Sequence, residues 1–180
     1  MKKKIISIIV LLLIGAIYFL YINRPESSSL NAATDTTSQI KRIAAKDFSF
    51  QDITNSNYNL SDFKGKVIVV NFRTTSCSAC DTEVDFLKRF MPSLDGLNVE
   101  FLPVFLDDNK SVIERYLQRR DIKFPIYWDN YGLSALKYGI FALPTSFIIN
   151  KDFQVVGKIP GAIDWNNPEV YDLLQRLANE

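Results

Sequence analysis

Apolar positions follow three patterns along the chain, and each predicts a different element. From Ile5 to Ile22 the chain runs 18 residues without a charge, broken only by Ser7, Gly15 and a few aromatics. As a helix this run is roughly 27 Å long, close to the hydrocarbon thickness of a bilayer, and predicts one transmembrane helix over residues 1–23. Lys2, Lys3 and Lys4 precede it and only Arg24 follows, so the N-terminus is expected in the cytoplasm and the remainder outside. A cleaved signal peptide is the alternative, although its apolar core is normally shorter. The second pattern is the dense β-branched run. Lys66–Phe72 and Val99–Leu106 predict buried strands, and Phe48-Ser49-Phe50 alternates as an edge strand does. Ser146–Asn150 and Gln154–Ile159 predict two strands around a Lys151-Asp152 turn. The third pattern is helical spacing. Cys80–Phe90 places Val84, Leu87 and then Met91 on one face before Pro92 stops it. Asn109–Arg120 does the same with Val112, Ile113, Tyr116 and Leu117. Leu133–Tyr138 predicts a short helix before Gly139, and Pro168–Ala178 a last helix with Val170, Leu173, Leu174 and Leu177 inward. Asn23–Gln39 has no periodicity and reads as a tether. The expected organisation is an anchor over 1–23, a linker over 24–40 and one domain over 41–180. Two parallel-type strands joined through a helix, then a hairpin, then a helix, predict an α/β sandwich.

Composition narrows the chemistry. Lys plus Arg number 21 and Asp plus Glu 20, a balance that argues against nucleic acid as a partner. The chain has no histidine, which removes Ser-His and Cys-His catalysis, His-ligated metals and haem held by a protein imidazole. The two cysteines are Cys77 and Cys80, and no cysteine directly follows the apolar run to carry a lipid.

Cys77-Ser78-Ala79-Cys80 opens a predicted helix just after a predicted buried strand. Cysteines three apart in a first helical turn can close a disulfide with little backbone movement. There the unpaired N–H groups and the helix dipole favour a thiolate on the first cysteine. Ser76 is the expected N-cap. Half of a zinc site is one alternative, but the other ligands are missing from the sequence. A purely structural disulfide is another, although so short a loop constrains the unfolded chain little. Some 65 residues on, Leu143-Pro144-Thr145 enters a strand, and Pro144 is a candidate cis proline, with a trans turn proline as the commoner case.

These features resemble the TlpA/ResA-like branch of the thioredoxin superfamily over residues 44–165. Leu60-Ser61-Asp62-Phe63-Lys64-Gly65-Lys66 is similar to that family's lead into its central strand, and Asn71-Phe72 to its asparagine–phenylalanine pair. Cys77, Cys80 and Glu83 follow the family's spacing, as do Tyr138-Gly139-Ile140, Leu143-Pro144-Thr145, Phe147-Ile148-Ile149, Lys151-Asp152 and Gly161. The resemblance implies a thioredoxin-like fold, a central mixed β-sheet flanked by helices and preceded by one transmembrane helix. It implies a membrane-anchored thiol–disulfide oxidoreductase that works through a mixed disulfide with no cofactor beyond the cysteine pair and no metal. Cys77 would be the attacking thiolate and Cys80 the resolving thiol. Pro144 would lie against the disulfide, with Leu143 and Thr145 beside it as substrate-binding residues. Glu83 would take the proton from Cys80 or raise a cysteine pKa; an exposed helix carboxylate without a role is the rival reading.

The implied partners are protein thiols or disulfides and a membrane-embedded electron donor. The implied location is the bacterial inner (cell) membrane, single-pass, with the catalytic domain facing the periplasm or cell exterior. The expected direction is that of a reductant, for example in cytochrome c maturation. A periplasmic disulfide oxidase, a thiol peroxidase using Thr74 and Cys77, and a non-catalytic binding module are the alternatives. The chain departs from the family where Arg73 and Ser76 stand for two tryptophans and Ala79 for a proline. Arg73 is expected to be solvated or paired with Asp81 or Asp85, or else to point toward Cys77 and lower its pKa.

Overall fold

The structure, a computed structural model, describes residues 43–180. The expected transmembrane helix and linker lie outside the described residues. Among the described residues no helix is long and apolar enough to cross a membrane.

Among the described residues eight strands form one sheet: β1 Ile43–Ala44, β2 Ser49–Asp52, β3 Asn57–Asn59, β4 Val67–Arg73, β5 Val99–Phe105, β6 Tyr127–Trp128, β7 Thr145–Ile149 and β8 Gln154–Pro160. Their order is β1-β8-β7-β4-β5-β6-β2-β3. β4, β5 and β6 are parallel neighbours, and β7 runs antiparallel to β4 in the middle of the sheet. Among the described residues there are four α-helices, α1 Ser78–Phe90, α2 Lys110–Arg119, α3 Leu133–Tyr138 and α4 Pro168–Asn179, and two short 3-10 turns, Leu60–Phe63 and Met91–Leu94. The mixed sheet with helices is a thioredoxin-like α/β arrangement.

β4 is buried at every position. Side chains alternate across a strand, so Ile68, Val70 and Phe72 enter one apolar cluster with Phe48, Leu102 and Phe147. Val67 and Val69 enter the cluster on the other face, with Leu87, Phe90, Phe101, Trp165 and Leu174. Asn71 and Arg73 continue the alternation of Val67 and Val69. α1 covers that face with a buried stripe of Cys80, Glu83, Val84, Leu87 and Phe90, a helical spacing that carries one carboxylate among its apolar members.

The Phe48–Phe50 segment is not an edge strand. β2 lies between β6 and β3, because the chain turns back after Asp52 and adds β3 outside it. Asp52 holds that turn: its Oδ1 accepts from the Thr54 N–H, the Thr54 hydroxyl and the Ser56 N–H. α3 ends at Gly139 in a left-handed conformation (φ +59°), which glycine adopts at little cost. From there the chain turns toward the loop before β7.

Leu102→Ala should cost about 2–5 kcal/mol, because Leu102 is fully buried on β5. Leu136→Ala, on an exposed face of α3, should stay within about 0.5 kcal/mol in the same urea titrations. Burial is the leading cause that pushes the Tyr116 and Tyr127 phenols up to about 12, and it raises Tyr138 as well. The folded state thus resists a deprotonation that the unfolded chain undergoes near pH 10. Stability should be fully present below about pH 10 and lost as pH rises toward 12, which urea midpoints across that range will show.

Candidate active site

The end of β4 delivers the site. After Arg73 the chain turns through Thr74–Ser76, and Asp107 fixes the turn by accepting from the Thr75 N–H and hydroxyl. Cys77, rather than Ser76, is the N-cap of α1: its sulfur accepts from the Cys80 N–H at 3.1 Å. A sulfur so placed sits at the positive end of the helix dipole. Cys77 and Cys80 form a disulfide with Cα atoms 5.2 Å apart. The two halves are unlike. Cys77 is partly exposed, whereas Cys80 is fully buried.

The loop from Phe141 to Thr145 comes up against the same sulfur. The Leu143–Pro144 peptide is cis, and the Leu143 carbonyl oxygen lies 3.5 Å from Cys77 Sγ. Pro144 is buried, and its own carbonyl accepts from the Gly161 N–H at 2.8 Å. Thr145 opens β7 and donates its hydroxyl to the Ala142 carbonyl at 2.7 Å. The structure thus brings the Leu143 carbonyl to the Cys77–Cys80 disulfide, with the cis Pro144 next along the chain and Thr145 anchoring the loop behind.

Glu83 and Arg73 depart from expectation. Glu83 is not an exposed carboxylate but fully buried. Its Oε1 accepts from Trp165 Nε1 at 2.8 Å and its Oε2 from Asn71 Nδ2 at 3.1 Å. Asn71 Nδ2 also donates to the Ser146 hydroxyl at 2.9 Å. Arg73 is neither solvated nor paired with Asp81 or Asp85. It is 1% exposed and stands 3.8 Å from Glu83 Oε2. Its guanidinium donates to the Cys80 carbonyl and to Asn71 Oδ1. The alternation of β4 is the reason: Arg73 follows Asn71 onto the face beneath α1. Burial holds the Arg73 guanidinium below its ordinary value, and Glu83 opposes that shift. Arg120 takes the place Arg73 was expected to fill, pairing with Asp81 at 3.3 Å and Asp85 at 3.1 Å. Trp165 and Ser146 have no signal in the local pattern. Trp165 lies in an aperiodic stretch after β8, and only the tertiary fold brings it to Glu83. Among the described residues no three cysteine or carboxylate side chains converge on a metal site.

Residues 42–158 match the model of the AhpC/TSA family. The chain belongs to that family, as a ResA-like thiol–disulfide oxidoreductase. It is 32% identical over 117 residues to the thiol-disulfide oxidoreductase ResA of Bacillus thuringiensis, covering 65% of this chain and 68% of the relative. It is 30% identical over 158 residues to ResA of Geobacillus thermodenitrificans, covering 87% and 86%. The thioredoxin domain of a thiol-disulfide oxidoreductase from Bacteroides vulgatus superposes with a TM-score of 0.66 at 18% identity, over 79% of this chain and all of that one. The last likeness is one of fold. With the Cys77–Cys80 pair at a helix N-terminus, the family assigns the chain redox activity on protein thiols or disulfides.

Trp165→Phe removes one donor from the buried Glu83 carboxylate and should cost about 1–3 kcal/mol in urea titrations. The loss should shrink when Glu83 is already Gln, a coupling of at least about 0.5 kcal/mol. Equal losses in both backgrounds would mean that only ring packing was affected.

Proposed function

We propose that the chain is a reductant of exported protein disulfides, held at the bacterial cell membrane by residues 1–23 with its catalytic domain on the outer side. Cytochrome c maturation is the setting this reading favours. The observation that carries the reading is the asymmetry of the cysteine pair. Cys77 is partly exposed at the helix N-terminus, and Cys80 is sealed beneath it. Only one sulfur is open to a substrate, and the other is reached only from inside.

The steps follow. In the reduced protein the Cys77 thiolate attacks one sulfur of a substrate disulfide. That bond breaks, a Cys77–substrate disulfide forms, and the displaced substrate thiolate takes up a proton. Cys80 then gives its proton to Glu83, three residues along the same helix face, and its sulfur attacks Cys77. The substrate leaves as a second thiol. The substrate has gained two electrons and two protons, and the protein holds a disulfide that a membrane-embedded donor must reduce again. Leu143, with its carbonyl already against the Cys77 sulfur, together with Pro144 and Thr145, forms the wall on which the substrate segment lies. The intervening Ser78-Ala79 carries no histidine to stabilise the reduced pair and make it strongly oxidising, which favours the reductant direction.

The test is the reduction potential of the pair. A value near or below about −250 mV fits a reductant, and one near about −120 mV would make the protein an oxidant. Cys77→Ser should abolish turnover of a protein disulfide. Cys80→Ser should leave one attack possible and accumulate the mixed disulfide, which mass spectrometry will detect.

A further inference from the structure

Arg73 ends β4 directly beneath the first turn of α1, and its bonds leave it little freedom. It donates to the Cys80 carbonyl and to Asn71 Oδ1, stands 3.8 Å from Glu83 Oε2, and lies 5.4 Å over the Phe105 ring. Its Nε is buried without an acceptor. A guanidinium so held fixes the Cys80 turn through its carbonyl. It also places a positive charge next to the residue that carries the buried sulfur, with the Glu83 carboxylate as its counter-ion. A nearby cation favours a thiolate and a nearby anion disfavours it. The other charged or titratable groups here are Asp81 on α1 and, from α2, Tyr116 and Arg120, which bind that Asp81. β7 contributes only the neutral Thr145 and Ser146.

We propose that Arg73 is a positioning residue of the resolving half-reaction. With Glu83 it forms one buried, electrically neutral unit that holds the Cys80 turn and sets the proton affinity of the Cys80 thiol. The inference rests on the reading in which Cys77 attacks and Cys80 resolves. In that step Cys80 loses a proton, its sulfur bonds to Cys77, the Cys77–substrate bond breaks, and the substrate thiolate is protonated as it leaves. Removing one member of the unit unbalances the first event; removing both restores neutrality.

The experiment titrates Cys80 alone, by the ultraviolet absorbance of its thiolate, in the full chain carrying Cys77→Ser. Four proteins are compared: this parent, Arg73→Met, Glu83→Gln and the double variant, each checked for fold by circular dichroism. Arg73→Met should move the Cys80 titration up by about one pH unit or more, a roughly tenfold loss of thiolate at neutral pH. Glu83→Gln should move it down, and the double variant should return to within about half a unit of the parent. Arg73→Lys, which keeps the charge and loses the fork, should shift less than Arg73→Met. If Arg73→Met does not fold, Glu83→Gln and the neutral double variant still test the unit against the parent. Folded variants that all titrate with the parent would overturn the proposal and leave Arg73 a purely structural residue. The titration involves no substrate. An oxidising potential would sink the reductant reading while leaving this cycle intact, and a flat cycle would sink this proposal while turnover continued.

Discussion

A strand buried on both faces must pair its backbone sideways and find partners for its side chains above and below. β4 meets this demand from Val67 to Arg73, with parallel β5 on one side and antiparallel β7 on the other. Its first five residues, Val67–Asn71, present apolar side chains to both layers except at Asn71, and each layer gains a cluster from the alternation. Asn71 and Arg73 bring polar groups to the same depth. Because β4 cannot shift by one residue without inverting every side chain, the place where Cys77 emerges and the place where Arg73 is buried are set together. β7 adds the second constraint. Pairing of Thr145 with Phe72 holds the start of β7 beside the end of β4, so the cis-proline loop meets the cysteine turn.

The buried pair beneath the disulfide is costly in isolation. Taking a charge out of water costs several kcal/mol even after relaxation, and breaking a buried pair by removing one partner typically costs about 3–5 kcal/mol. Those costs are offset here by hydrogen bonds. The Glu83 carboxylate has two side-chain donors besides the guanidinium, and Asn71 bridges Arg73, Glu83 and Ser146. Well-packed apolar residues often match such a pair in stability. Stability alone therefore gives no reason to bury an arginine at this point. Its contact with the Cys80 carbonyl ties it to the chemistry of the helix turn instead.

Much of this was legible in the chain. The β-branched runs gave β4, β5, β7 and β8, and the helical stripes gave all four helices within about two residues at each end. The Cys-x-x-Cys at a strand-to-helix junction gave the redox chemistry. What local pattern missed has physical reasons. β3 and β6 are two or three residues long, too short to show a period, and β2 looked like an edge because its outer neighbour was invisible. At Arg73 the difference is a single residue, since β4 runs to Arg73 where the apolar pattern ends at Phe72. Ending the strand at Phe72 left Arg73 in the loop, while continuing the alternation one step places it with Asn71 under α1. Glu83 was readable in the same way, since it occupies the i+3 position of the stripe that begins at Cys80. Trp165 was not readable, because its partner is 82 residues away and no periodicity leads to it.

The unequal burial of the two sulfurs then follows from the helix itself. Cys77 is the N-cap, outside the first turn, with its side chain turned back over the Cys80 N–H. Cys80 is the third residue of α1 and falls on the face that packs against β4. One residue type, placed three positions apart, thus meets two environments. The outer thiol has unpaired N–H groups and water to stabilise its anion. The inner thiol has a closed interior, where desolvation opposes ionisation unless charges are supplied. The only ions that reach that layer from β4 and α1 are Arg73 and Glu83. The order of the reaction, outer sulfur first and inner sulfur second, is therefore built into the same period that buries the helix against the sheet.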